Sequence, residues 1–445
     1  MSRIKYILIV VLCTLSLCTF SQDFVRMGDR SLSGTARYVG MSGAMTAIGG
    51  DPSASMDNPA GLGLYRRPEL MLSFDYTWDR TMQNADASLA KRVNRFDASQ
   101  ASLVIAFGPY KDDADGVLFN SIMFSYRRLQ TYWRDMTASA TSGASLGSLL
   151  AYSGLDLGIP YCVGDHSGNQ LVLRETGVVN EYAFDWGMNI SNRWYFGAGV
   201  HTMSYRLLAN ARYVEQFDFY DADGRQCYND NNTSLTYTGV GFNFTTGIIY
   251  RPISWVRLGF SLQTPSLGRL NIYSRGTLTS LTDSIRDSSA PDLATNVQKF
   301  HMPFHLSTSA AFQCGYYGML ALQYDFSHQA GELDIHTLRA GLEIVPIPGM
   351  YINAGYAYES TFKANNSVVS IDPTFDRQDT YFQRMKNTQY VSAAIGFRGT
   401  HVIAQAAYQF RWQNINLYAH EYAIPYNMFA DTHRLVVTIG WHRGW

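Results

Sequence analysis

The chain has 445 residues and a formal net charge of -1; 16% of its residues are charged and 46% are hydrophobic. A near-neutral chain with no concentrated basic face excludes a nucleic-acid partner held through phosphate contacts. The charged fraction lies below the quarter usual for soluble domains, while 30 Tyr, 24 Phe and 37 Gly are present, a balance that points to β structure facing lipid.

Residues 1–21 read as an export signal. Arg3 and Lys5 form a short basic start, Tyr6 to Phe20 is an apolar run too short for a comfortable membrane span, and Thr19-Phe20-Ser21 offers small residues for cleavage before Gln22. Cys13 and Cys18 each follow a leucine, Leu12 and Leu17, where a lipoprotein would carry a small residue. No later apolar run is long enough for a transmembrane helix. Of the remaining cysteines, Cys162 and Cys227 fall in expected outer loops and could pair in an oxidising envelope, whereas Cys314 falls at an expected inner turn. No spacing joins cysteines to histidines as a zinc site requires, so neither metal nor cofactor is expected.

Residues 22–67 form the next unit, and Tyr38 to Arg67 is its centre. Gly40, Gly43, Gly49, Gly50, Gly61, Gly63, Pro52 and Pro59 interrupt any long helix or regular strand. Met41, Met45, Ile48, Leu62 and Leu64 nevertheless give it apolar surface to bury, which a solvated linker would not need. The stretch reads as a compact, irregular plug. At Asn58-Pro59-Ala60-Gly61-Leu62, preceded by Gly43-Ala44 and Gly50-Asp51-Pro52-Ser53, it resembles the N-terminal hatch of the FadL/TodX family of outer-membrane transporters for long-chain fatty acids and other hydrophobic molecules. The motif covers roughly residues 34–67; beyond it the likeness rests on architecture.

From residue 68 to 445 the pattern is two-residue alternation. In Arg434–Trp445, Leu435, Val437, Ile439 and Trp441 share one face and Val436, Thr438, Gly440 and His442 the other; the dyad recurs at Val402/Ala404/Ala406/Tyr408/Phe410 and Leu320/Leu322/Tyr324/Phe326. One uncharged face per strand is what a lipid-facing barrel requires, since a mid-bilayer charge costs a few kcal/mol. The expected strands are 69–79, 98–108, 117–131, 181–190, 194–207, 236–250, 255–264, 303–313, 318–327, 333–345, 350–361, 389–398, 401–412 and 433–444. Short turns alternate with long outer loops at 132–180, 208–235, 265–302, 362–388 and 413–432. The fold expected is all-β, a transmembrane antiparallel barrel of about 14 strands with an N-terminal hatch in its lumen and both termini periplasmic. The fourteen-stranded barrel of the FadL family agrees with it, and Trp445 resembles the aromatic terminal strand read by the barrel assembly machinery.

Asp75, Asp185, His201, Arg257, His305, Gln323, Asp325, Arg339, Glu343, Glu359, Gln405, Gln409 and Arg411 are expected to face the lumen. They either pair with one another and with hatch backbone, or Arg257, Arg339 or Arg411 meets a ligand carboxylate bidentately. The resemblance implies capture of an amphiphile among outer loops, a site touching the hatch, and sideways exit at a kinked third strand. In Val117–Tyr126, Asn120 interrupts the face of Leu118, Ile122 and Phe124, and a bulge there would re-aim it. Ala138 to Tyr152, with Leu146, Leu149 and Leu150, reads as an external helical patch that collects apolar ligands, as does Leu155 just beyond. Within it Gly143-Ala144-Ser145-Leu146-Gly147 fits G-x-S-x-G without an evident strand and helix to make a nucleophile elbow. The function read from the chain is therefore non-enzymatic outer-membrane transport of fatty acids or other amphiphiles by a monomer embedded in outer-membrane lipid. A barrel recruited to protein secretion or surface anchoring is the alternative, and a lipid hydrolase using His201 or His305 would need a serine beside them.

Overall fold

The computed structural model describes residues 30–84, 87–108, 115–148, 161–220, 223–282, 286–289, 294–301, 303–329, 333–363, 381–420 and 423–443. The signal segment, Leu149, Leu150, Leu155, the turn at Asp112-Asp113 and Trp445 lie outside them. Fourteen antiparallel strands form the wall: β1 (Glu69–Gln83), β2 (Lys91–Phe107), β3 (Val117–Thr131), β4 (Gly168–Ile190), β5 (Trp194–Tyr220), β6 (Gln226–Ile253), β7 (Val256–Gln263), β8 (Phe304–Gln313), β9 (Gly318–Gln329), β10 (Leu333–Ile347), β11 (Met350–Lys363), β12 (Phe382–Arg398), β13 (Val402–Tyr418) and β14 (Tyr426–His442). Each pairs with its neighbour, and β1 pairs with β14 from Glu69↔His442 to Gln83↔Met428, closing the barrel. All fourteen expected strands are present.

The expected long loops are mostly not loops. β5 continues to Tyr220 and β6 begins at Gln226, so 208–235 is largely ladder; β13 and β14 likewise run through most of 413–432. Residues Arg134–Ala140 pair with β4, and Leu267–Leu281 pairs with β6 beyond the end of β7. The reason is a change of phase. Along β5, the outward positions are Trp194, Phe196, Ala198 and Val200 and then Ser204, Arg206, Asn210 and Arg212, while the inward ones pass from Gly199 and His201 to Met203, Tyr205, Leu207 and Tyr213. β4 switches beside Ser204, from Tyr182 to Asn180, and β6 one outward row further on, from Val240 to Thr238 beside Arg206. Below that line the wall is apolar outside and polar inside, as lipid demands; above it the wall is polar outside and encloses a soluble-protein core.

That upper core contains Leu129, Met136, Leu171, Leu173, Met203, Leu207, Tyr237, Ile272, Leu417 and Met428, with Leu146 from the segment entering the mouth. Gln83 fastens this cap to the rim: its Nε2 donates to Ser139 O and its Oε1 accepts from Ser139 N, both at 2.7 Å. Of the expected helical patch, Ala138 is in a strand, and Ser145 caps a helical turn by accepting from Ser148 N at 3.0 Å. Capping, not nucleophile activation, is what the Ser145 hydroxyl does here. Cys162 and Cys227 are both buried and share a small apolar cluster with Phe217 without a disulfide between them, and Cys314 is exposed.

Candidate functional site

Residues 30–67 lie inside the barrel, buried over almost their whole length. Two short helices and a 3-10 turn give the segment its shape. α1 (Ala36–Gly40) is capped by Thr35, whose Oγ1 accepts from Tyr38 N. α2 (Pro52–Asp57) begins with Asp51 accepting from Ser53 N at 2.9 Å and Pro52 at the first helical position, where its missing N–H costs nothing. Gly49 and Gly50, at φ 61 and 63, make the left-handed corner before it. The turn Pro59–Leu64 is capped by Asn58, whose Oδ1 accepts from Ala60 N at 3.1 Å while its Nδ2 donates to Thr46 O at 2.8 Å. The expected hatch motif is thus a cap and its turn, with Ala60 and Leu62 fully buried and Gly61 against Gly49.

The wall meets this segment with glycines. A Cβ on Gly187 would lie 2.5 Å from Pro59 O, on Gly259 2.6 Å from Ala47 Cα, on Gly341 2.8 Å from Met41 O, and on Gly355 2.5 Å from Met41 C. Backbone therefore packs on backbone on opposite sides of the lumen, a spacing no side chain allows. Polar wall groups then meet the segment's otherwise unpaired amides: Thr438 Oγ1 accepts from Ala36 N at 2.8 Å, Gln405 Oε1 from Arg37 N at 3.1 Å and Gln323 Oε1 from Thr46 N at 3.0 Å.

Charge completes the docking. Arg37 donates to both oxygens of Glu343, at 2.6 and 2.8 Å. At the end of α2, Arg127 Nη2 donates to Asp57 Oδ1 at 3.0 Å and to Glu181 Oε2 at 2.8 Å, and the His201 ring joins Glu181 Oε1 at 2.9 Å to Asp185 Oδ1 at 3.0 Å. Burial pushes the Asp57 carboxyl up, but Arg127 and Arg30 outweigh it and hold it below the ordinary value. The Tyr38 hydroxyl donates to the same carboxylate. Of the three arginines expected to greet a ligand, Arg257 donates to Ile48 O at 3.0 Å and Arg339 to Ser42 O at 3.1 Å and Asp325 Oδ2 at 2.5 Å, so both are engaged with the segment 30–67. Arg411 is placed differently. It donates to Thr432 Oγ1 at 3.1 Å and lines a cavity on the long-loop side of Ser31 together with Arg95, Arg128, Arg134, Asp79 and Glu175.

That cavity measures about 70 Å³, room for two or so waters, and a second of about 70 Å³ lies between Tyr38, Asp57 and Arg339. Neither holds a sizeable amphiphile as it stands. The first adjoins a break in the wall. β2 pairs with β3 from Gln100↔Arg127 to Phe107↔Asn120; beyond a bulge that leaves out Ser99, residues 91–98 pair with β1 alone among the described residues. Side chains bridge the break: Asp97 ion-pairs with Arg95 and Arg128, and Arg95 Nη2 donates to Thr131 Oγ1 at 3.0 Å. Asn120 sits in the intact ladder at the opposite end of β3. The bulge near it skips Leu118, which turns inward, and Asn120 keeps the face of Ile122 and Phe124 with its buried Oδ1 unpartnered. The irregular dyad of β3 thus marked the short-turn end, whereas the break follows from β2, whose Arg95, Asp97 and Ser99 carried the missed signal of polar residues on one face.

A FadL homologue from Pseudomonas aeruginosa aligns with 93% of this chain and 99% of its own at TM-score 0.58 and 12% identity. The fold is that of the FadL/TodX-type barrels. The P. putida toluene transporter TodX (93% and 99% covered, TM-score 0.51, 12% identity) and the CymD monoaromatic hydrocarbon channel (94% and 99%, TM-score 0.53, 11% identity) share it. No family model and no curated protein matches the chain in sequence.

Proposed function

We propose that this FadL-type barrel carries amphiphiles with an anionic head across the outer membrane, residues 30–67 serving as the hatch. The observation that carries the reading is the cavity at Arg411: its lining sets the guanidinium groups of Arg95, Arg128, Arg134, Arg411 and Arg434 against the carboxylates of Asp79 and Glu175, an excess of positive charge against the hatch and beside the break between β2 and β3. An apolar tail entering through the cap of the long-loop end would exchange water for the side chains of the upper core, while its head would meet arginines that match a carboxylate geometrically. Neutral monoaromatic compounds, the cargo named for TodX and CymD, bring no anion to that excess of positive charge. A long-chain fatty acid satisfies both ends. A shift of Ser31 and the hatch enlarges the cavity, and parting of Asp97 from Arg128 opens a sideways route to lipid that the tail follows without crossing water.

The test is uptake of a fluorescent long-chain carboxylate and of its alcohol analogue by proteoliposomes. The carboxylate should enter at least tenfold faster than into empty liposomes and faster than the alcohol, and Arg411→Gln should abolish that preference. Joining Asp97→Cys to Arg128→Cys with a short bis-thiol linker should return uptake to background. Uptake unaffected by the linker would remove the lateral route. No uptake together with a stoichiometric protein partner in native mass spectrometry would replace transport by the secretion or anchoring reading.

A further inference from the structure

The change of phase along β4, β5 and β6 locates the edge of the lipid-facing belt, because the outward face turns from Tyr182 to Asn180 beside Ser204 and, one outward row further on, from Val240 to Thr238 beside Arg206. Two of these strands continue far past it. β5 and β6 hold 27 and 28 residues, where a tilted span needs about 9 to 11. Together with β4 and Leu267–Leu281 they raise a sheet whose outer surface stands over the headgroups of the leaflet at the long-loop end.

That outer surface is cationic, and its cations follow one another along the ladder. Arg269 pairs in register with Val240, level with the edge, and Arg206 with Thr238, one outward row above it. Strand spacing and rise put their Cα atoms about 12 Å apart. Arg275 and Arg174 stand one further turn of the ladder up, at the level of Ser234 and Asn210. Arg206, Arg269 and Arg275 are exposed and have no acidic partner among the described residues. The acids of this outer face within β5 and β6, Asp218 and Asp230, lie near its far tip, where Asp230 pairs with Arg212 at 2.8 Å. Around the arginines the outward positions include the amides and hydroxyls of Ser204, Asn210, Ser234, Thr236, Thr238 and Asn271, interspersed with Val178 beside Arg206, Val240 beside Arg269, and Leu208.

An arginine without a carboxylate at the lipid headgroup level matches a phosphate, which it binds bidentately. Hydroxyls and amides suit sugar hydroxyls between two phosphates. We infer that the outer face of β5, β6 and Leu267–Leu281 binds the phosphorylated headgroup of a glycolipid, with Arg206 and Arg269 on its phosphates and Arg275 and Asn271 on the part of the headgroup above. The site is on the outside of the wall, independent of the cargo route. It would hold the barrel at a fixed depth and steady the long extension that carries the cap.

The experiment is native mass spectrometry of the full chain in detergent, titrated with a diphosphorylated disaccharide lipid, with the same lipid after phosphatase treatment, and with inorganic phosphate as competitor. Folding is checked by heat-modifiable gel mobility. Wild type should retain the diphosphorylated lipid at least tenfold better than the dephosphorylated one, inorganic phosphate at equal concentration should not displace it, and the R206Q/R269Q double variant should lose at least fivefold in retention while Arg92→Gln, exposed on β2, should not. Equal retention of the two lipids in wild type overturns the inference, and this arm stands even where the double variant does not fold. Equal retention by a folded double variant also overturns it, and displacement by inorganic phosphate would assign the arginines to the free anion.

Discussion

The lumen is filled twice, by different physical means. Residues 30–67, the proposed hatch, are held by close backbone approach at Gly187, Gly259, Gly341 and Gly355 and by buried charge around Arg37 and Arg127, with the fully buried Met41, Met45, Met56 and Leu62 packed among small residues. The cap is held by apolar side chains, Leu171, Leu173, Met203, Tyr205, Leu207 and Leu235, on strands that have left the lipid belt. Burial of apolar surface is non-directional and tolerates sliding, whereas hydrogen-bonded charge in a glycine-lined seat has one good geometry. The difference teaches that this chain fixes the position of its hatch and leaves its cap deformable. The transport proposed above asks for that construction, an entrance that yields to apolar cargo and an inner closure that moves as a unit.

The comparison breaks most sharply at a wall glycine. Gly259→Leu drives a side chain into the backbone of Ala47 and Thr46, and unseating the hatch should cost more than about 4 kcal/mol of its docking, because neither backbone can give way. The barrel itself should still form. Planar-bilayer recordings should show a conducting channel in the variant and a closed one in wild type; a closed variant would mean that the seat adapts and that the contrast with the cap is unsound. Leu173→Ala tests the other side: removing a fully buried leucine should destabilise the cap by about 3 kcal/mol, seen as faster amide exchange in Arg134–Ala140 with the hatch amides unchanged. Exchange rising equally in both regions would show one cooperative unit, not two. Asn58→Ala is the mildest change. It removes the bonds to Ala60 N and Thr46 O, and a loss of about 1 to 2 kcal/mol should appear as increased protease sensitivity of the hatch without conductance.

The lipid-facing wall was legible because its constraint is local. Leu435, Val437, Ile439 and Trp441 announce a strand without reference to any partner, and the same dyad recurs along the membrane segments, least regularly in β3. The extensions were read as loops since that dyad inverts at the edge: Leu207, Ala209, Ala211 and Tyr213 alternate just as regularly with Leu208, Asn210 and Arg212, but a search for an apolar outer face passes over them. Among the arginines, residue type was readable and allegiance was not. Arg257 and Arg339 reach hatch carbonyls contributed from some 209 and 297 residues away in sequence, and Arg411 does not.

The sequence by itself determined that a glycine-broken, partly apolar segment precedes a barrel wall, because alternation and punctuation are properties of neighbouring residues. Which strand pairs fail, where Asp97 finds Arg128, and how Glu181, His201 and Asp185 gather beneath Asp57 were decided by the tertiary structure alone. Closing the sheet sets the register, and the register chooses which buried charges can meet.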